Sequence, residues 1–480
     1  MMKKILIFLG VVFFTLSCDE NLSDLNVDPK EPAVVEPEVL FTYGQFNLVK
    51  QLVNPDYNHN VDRFWSNYLT QTTYIQEASY DAANRDVGGT IWDNVYTECL
   101  YELADAKRIL RSKEVAPALA PVRDNQLAMI KVLEVFAYQY LVDNFGDVPY
   151  TEALDLDNVT PAYDEGDFIY TAITDSLQSA IAAFDPGEDG FSASADILYG
   201  GDITKWQKFA NSLLLKIGIR LADVDGTTAS ALVNDAVNGG VFESNADNAV
   251  FAFIENQPYT NPIYDYFEVD NRDTDFVVTQ VFIDMLNGLS DPRMEYYFDE
   301  NIATGYTGGV YGGVGNAFDN LTHIDPAIVE PTFPGTIMDY SFVAFTLAEA
   351  VERGFISGDA AEYYEAGISA SFEAWGLSTA DASAYLGLPE VDYATAAGDY
   401  KQKIGIQKYV ALYNQGHEAW TEARRLDYPV LLAAASTGKA NPKRMIYPTT
   451  EDLINNENYS AASARLGGDA TESPVFWDVN

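Results

Sequence analysis

The segment NQLAMIKVLEVFAYQYLVDNFGD, residues 125 to 147, constrains the chain more than any other. Ile130, Leu133, Ala137 and Leu141 fall on one face of a 3.6-residue helix, and Met129, Val132, Phe136 and Tyr140 fall beside them. Apolar side chains thus cover a wide arc, and a helix of this kind has to be packed among others. It stops where Gly146 can take a positive φ, and Pro149 prevents its resumption. Other stripes repeat the theme. Trp92, Tyr96, Cys99 and Leu103 align at i, i+4, i+7 and i+11, which makes Cys99 a core thiol rather than a nucleophile. Behind Asp202, a good N-cap, Trp206, Ala210, Leu213, Ile217 and Leu221 align as well. Further helices are expected over Val39–Val53, Val61–Ile75, Phe276–Gly288, Val343–Gly354, Asp359–Trp375 and Gln415–Leu426. Strand patterns are few and short, the best being NAVFAFI at 248 to 254. The expectation is an all-α chain of helix pairs without a strict 34-residue repeat. Between the helices run two long irregular stretches, Glu255–Asp275 and Asp299–Tyr340, and loops of that length in a compact protein carry function.

The N-terminus reads differently. Lys3 and Lys4 precede an apolar run from Ile5 to Phe14, with small Ser17 set directly before Cys18. This is a signal peptide, too short for the roughly 20 residues a membrane-spanning helix needs. From Asp19 to Glu38 the chain is acidic and proline-dotted with no apolar period, as expected of a flexible spacer.

Charge excludes one class of partner. The chain has 28 basic and 72 acidic residues, and a polyanion such as nucleic acid would approach against that field with no Lys/Arg cluster to receive it. Catalytic signatures are also missing. His59, His323 and His417 lie far apart with no HxxxH or HExxH spacing, so no zinc site is assigned. There is no G-x-S-x-G elbow, and the run TGYTGGVYGGVGN lacks both the Lys-Ser/Thr and the strand-turn-helix context of a phosphate loop. DNRDTD at 270 to 275 gathers oxygen ligands without EF-hand spacing, and no metal or cofactor is assigned. Asp273 and Asp275 illustrate how easily carboxylate pairs arise among 72 acids. A glycosidase working through such a pair is therefore the enzyme alternative, and the main reading is no enzyme.

Several stretches together resemble the SusD/RagB family of outer-membrane lipoproteins, in its SusD-like branch. They are Cys18 with the NVDPKEP spacer, NFGDVPYTEAL at 144 to 154, GDITKWQKFANSLLLKIGIRLA at 201 to 222, and DPR at 291 to 293. AEAVERG at 348 to 354, QKYVALYNQGHEAWTEARRLDYPVL at 407 to 431 and RMIYPTTEDLINNENYSAASARLGGD at 444 to 469 complete the set. Thr15-Leu16-Ser17-Cys18 is similar to a lipobox, with Thr15 in place of the usual Leu, and the acids Asp19 and Glu20 resemble the surface-export signal of Bacteroidota lipoproteins. The resemblance implies a signal peptide over 1–17, a tether over 18–38 acylated at Cys18, and a single helical domain over 39–480. Tetratricopeptide-like helix pairs would scaffold variable loops, with only minor short strands. It further implies a protein on the cell surface that caps a TonB-dependent, SusC-like β-barrel and captures nutrients, mostly glycans. The motifs themselves read as structure: Trp206 and Trp420 head buried faces, and Arg424 or Arg425 pairs with a carboxylate such as Glu418 or Glu422.

A sugar-binding site needs aromatic planes for the apolar C–H faces and short polar partners for the hydroxyls. Two regions outside the helical stripes have that mixture. The first holds Tyr74, Tyr80, Asp81, Asn84 and Arg85, in the stretch from which the family's ligand site often draws residues. The second holds Tyr306, Tyr311, Asn316, Phe318 and Asp319, with glycines that would let rings adjust to a ligand. In both, the rings either meet a ligand or pack under their own loops. A third class remains beside capture and catalysis: an interaction subunit that binds the barrel and no nutrient.

Overall fold

The computed structural model describes residues 35–300, 302–303 and 305–479. The signal peptide over 1–17, Cys18 and most of the spacer lie outside the described residues. Where description begins, Val35 already packs against the core, and the first helix, α1 (Pro37–Val53), takes in the last two residues of the expected spacer.

The long apolar helix is present as Ala120–Phe145, ending as its sequence requires: Gly146 takes φ 82° and its N–H donates to Val142 O. It packs on Gly166–Ala183, and three further consecutive pairs follow: Ile203–Arg220 with Gly226–Gly239, Tyr340–Glu352 with Ala360–Ala374, and Tyr400–Ala411 with Gly416–Leu426. This is the all-α, tetratricopeptide-like arrangement expected. Asp202 caps its helix by accepting from Lys205 N, and Trp206 and Cys99 are fully buried.

The helix pairs are joined by buried charge as well as by apolar faces. Arg220 reaches Glu422 at 2.6 Å and Glu418 at 2.8 Å, Lys408 reaches Glu422 at 2.6 Å, and Arg425 bridges Glu422 at 2.8 Å and both Glu349 oxygens. Guanidinium and ammonium neighbours hold the carboxyls of Glu349 and Glu422 below the usual range although burial acts against this. Arg425 is thus the arginine that pairs with a carboxylate, whereas Arg424 lies 3.5 Å over the Trp420 ring.

Two expected helices are partly strand. Within 61–75 only Asp62–Trp65 is helical; Asn67 then takes φ 63°, a left-handed conformation that ends the helix, and the chain beyond it forms β1 (Leu69–Gln71). In 276–288 the first three residues form a strand, Phe276–Val278, before Thr279 caps the helix Gln280–Gly288. The two strands pair antiparallel, Leu69 opposite Val278 and Gln71 opposite Phe276. The expected strand at 248 to 254 is Ala249–Phe251, paired with Gly335–Met338.

Candidate functional site

The β1 ribbon brings three loops together. Thr72 N donates to Asp275 O at 2.9 Å, which sets the stretch after β1 beside the end of the 255–275 loop. The Gly-rich loop joins from the other side. Gly309 bridges to Thr279, and the Asn316 amide donates to Gln71 O and Val310 O while its carbonyl accepts from Val310 N.

On this face rings and guanidinium groups alternate in a file. Tyr74, 63% exposed, lies at its outer end with φ 53°. The Arg85 guanidinium lies 5.8 Å from the Tyr74 ring and 4.8 Å from the Tyr57 ring, and Arg272 lies 5.3 Å from Tyr57 and 5.7 Å from Tyr266. Both arginines are neutralised in place: Arg85 by buried Glu77, which also holds the Gln71 amide at 2.8 Å, and Arg272 by Asp275, which also accepts from Tyr266 OH at 2.6 Å. Arg272 further donates to Tyr57 OH. Burial, with the Asp275 charge behind it, pushes the Tyr57 and Tyr266 phenols up, so both stay protonated donors. Only the Tyr74 ring and the half-buried edges of Arg85 and Arg272 reach the surface; Tyr57 and Tyr266, each 3% exposed, back them from within through cation–π contacts.

Tyr266 continues through Phe276 (5.8 Å, stacked) and Phe267 to an open groove of about 420 Å³. Tyr264, Phe267 and Phe318 line it; Phe318 stacks on His323 with centroids 3.7 Å apart, and Glu268, Asp273, Asp299 and Glu330 supply acceptors. Aromatic walls with a few carboxylates in a pocket of this size suit a polyhydroxylated ligand.

The structure separates the sequence-expected residues. Tyr74, Arg85 and Phe318 lie on this face, Asn84 and Asp319 are exposed nearby, and Asp81 is half-buried. Tyr306 is half-buried, edge-on to Phe298. Tyr80, 2% exposed, is instead an anchor: its hydroxyl donates to Leu432 O and accepts the Asn67 and Asn441 amides. Tyr311, 3% exposed, packs against Tyr80 at 5.6 Å, and buried Asn316 pins the loop. These three residues are turned inward and do not offer the free surface expected of them. Sequence reasoning missed Tyr57, Tyr264, Tyr266, Phe267 and Arg272. Length alone marks the loop bearing the last four; nothing in YDYFE sets its rings apart from core aromatics, and in sequence Arg272 stands inside an oxygen-rich cluster.

Residues 29–448 match the sequence model of the SusD-like family described as starch-binding and associating with outer membrane, and the chain belongs to that family. Similar solved structures include a chitin-binding protein (27% identity, TM-score 0.81, covering 93% of this chain and 100% of that one). A SusD homologue from Bacteroides uniformis is similar at 26% identity and TM-score 0.78, covering 92% of this chain and 99% of that one. A chitin-binding SusD homologue from Flavobacterium johnsoniae is similar at 25% identity and TM-score 0.79, with 92% and 99% covered. None of the curated proteins matches the chain. Among the described residues no helix is long and apolar enough to cross a membrane.

Proposed function

We propose that this chain is a cell-surface lipoprotein that captures a glycan on the Tyr74–Phe318 face and passes it to a TonB-dependent, SusC-like β-barrel. The observation that carries this reading is the exposed Tyr74 ring beside Arg85, together with the groove lined by Tyr264, Phe267 and Phe318, on a chain whose family is described as starch-binding and associating with outer membrane. The chitin-binding relatives make oligosaccharides of starch and chitin the first ligands to try. Tyr74 and Phe318 would stack on pyranose faces, while Arg85 and Arg272 donate to hydroxyls and the groove carboxylates accept from them.

The test is a calorimetric titration with maltooligosaccharides and chitooligosaccharides. The double variant Tyr74→Ala, Phe318→Ala should lose about tenfold or more in affinity with an unchanged melt, each stacking contact contributing about 0.5–1.5 kcal/mol beyond burial. Equal affinity in the double variant removes this face from the site. The tether follows the same reading: the spacer ahead of Val35 holds the body off the lipid through acylated Cys18, and Cys18→Ser should move the protein from the membrane fraction to the soluble one. Co-purification with a barrel subunit tests the delivery step.

A further inference from the structure

After Gly146 the chain runs past the head of the Trp92 stripe, and a cavity of about 640 Å³ lies between them. Trp92, Tyr96 and Tyr101 line it from one continuous helical stretch. The loop that follows the long helix adds Pro149, Ala153, Leu154, Leu156, Val159 and Pro161, with Leu156 74% and Val159 80% exposed. Glu451, only 8% exposed, lines it from the start of the short helix Glu451–Ile454. The cavity shares no lining residue with the aromatic groove.

Hydrogen-bond accounting singles out two atoms. The buried Glu451 carboxylate accepts from Tyr163 OH at 2.5 Å and from the Asn455 amide at 3.4 Å, both on Oε2. Among the described residues its Oε1 has no donor, and Trp92 Nε1–H has no acceptor; neither atom is sealed from solvent. Tyr163 connects the two, its ring lying 5.7 Å from the Trp92 ring. Other lining donors are already engaged: Tyr96 OH goes to Pro149 O, Thr97 Oγ1 to Asp93 O, and the Asn158 amide to Glu152. Tyr101 OH and one oxygen of exposed Asp155 are the other open groups.

The rest of the lining is hydrocarbon, which narrows the ligand. A hexose carries hydroxyls all round its ring, and pressing them against Leu154, Leu156 and Val159 would remove water that these side chains cannot replace. A saturated acyl chain would fill the space and leave Glu451 and Trp92 without partners. We propose that this cavity is a second ligand site and that it takes a phenolic ring. The ring packs among Trp92, Leu154 and Val159, the phenol O–H donates to Glu451 Oε1, and the phenol oxygen accepts from Trp92 Nε1–H. One hydroxyl on an apolar plane thus satisfies both open atoms. The assignment does not rest on the Tyr74–Phe318 face being a glycan site.

The probes are the uncharged 4-hydroxyphenyl, phenyl and methyl β-D-glucopyranosides, titrated calorimetrically into the full chain at neutral pH. The phenyl compound should bind about tenfold tighter than the methyl one, and the 4-hydroxyphenyl compound about tenfold tighter again, as expected for a hydrogen bond to a charged acceptor. Val159→Asp, at a position exposed enough to leave the fold intact, should weaken both aromatic glucosides about tenfold or more. Glu451→Gln keeps an oxygen for Tyr163 and turns an amide donor to the cavity, so it should erase the advantage of the hydroxyl and leave the phenyl glucoside unchanged. Leu453→Asp, 81% exposed and outside the cavity, should change nothing, and neither should Tyr74→Ala with Phe318→Ala. Equal affinity for the phenyl and 4-hydroxyphenyl glucosides overturns the proposal, as does undiminished binding in Val159→Asp. An equal loss in Leu453→Asp also overturns it, since that would be adsorption to exposed apolar surface at large. Loss in the Tyr74, Phe318 double variant would move the ring to the aromatic face and overturn it too. If Glu451→Gln fails to fold, Val159→Asp decides alone.

Discussion

The loop after β1 and the Gly-rich loop at 305 to 320 have similar sequence chemistry, aromatic rings among small and polar residues, yet Tyr74 of the first and Tyr311 of the second are placed in opposite ways. The first turns Tyr74 outward and supports it with Arg85 and Tyr57. The second is pressed flat against the ribbon: Gly308 N donates to Gln280 Oε1, Gly309 N to Val278 O, and Gly312 N to Thr70 Oγ1. A Cβ added at Gly308 would lie 2.2 Å from Gln280 N, and one at Gly312, where φ is 56°, would lie 2.6 Å from Ala78 O. The glycines are present so that backbone can touch backbone. A stretch that reads as pliable is a tight seam, and its Tyr311 is the ring beneath it.

The sharpest way to break this contrast is Tyr311→Ala. Removing a buried aromatic ring should destabilise the chain by about 3–5 kcal/mol, read as a fall in the denaturant midpoint at unchanged slope. A wild-type midpoint would return Tyr311 to the surface and restore it as a ligand residue. Gly312→Ala should cost about 1–3 kcal/mol, because a methyl group has to displace the Ala78 carbonyl and Ala434 from a left-handed position. If its thermal melt matches wild type, the seam is looser than these contacts imply. Tyr74→Ala, at the other pole, should change stability by no more than about 0.5 kcal/mol. Its effect belongs in the binding isotherm, a loss of up to about tenfold for the ligand of the aromatic face. A destabilised Tyr74→Ala would make the exposed ring a structural prop and erase the distinction between the loops.

The scaffold was legible because burial and helical period report the same residues. The Trp206 stripe, the Ala120–Phe145 helix and the stop at Gly146 all follow from side chains that must leave water every three or four positions. The ribbon was not legible. Both its strands are three residues long and border true helices, and their pairing joins positions 69 and 278, far beyond any local pattern. The site was legible only in part for the same reason. Tyr74 and Arg85 share one segment and could be read together, but the planes that complete the file, Tyr57 and Tyr266, come from distant segments that only tertiary packing aligns. Tyr80 looked like its neighbour Tyr74 in sequence. What separates them is the Asn67, Asn441 and Leu432 partners waiting around the Tyr80 hydroxyl.

The buried ion network has a consequence for how the helices can be aligned at all. Greasy faces are forgiving, since a helix slid along its neighbour by one turn, about 5.4 Å, often finds another acceptable apolar fit. Glu422 is not forgiving. It takes Arg220, Lys408 and Arg425 at once, from three helices including its own, and Arg425 in turn engages Glu349 on a fourth. Any slipped alignment strands at least one charge without a counterion in a dry interior, a fault that costs about 3–5 kcal/mol for each broken pair. The network therefore works like the wards of a lock: it adds little to the grip between helices and rejects every arrangement but one.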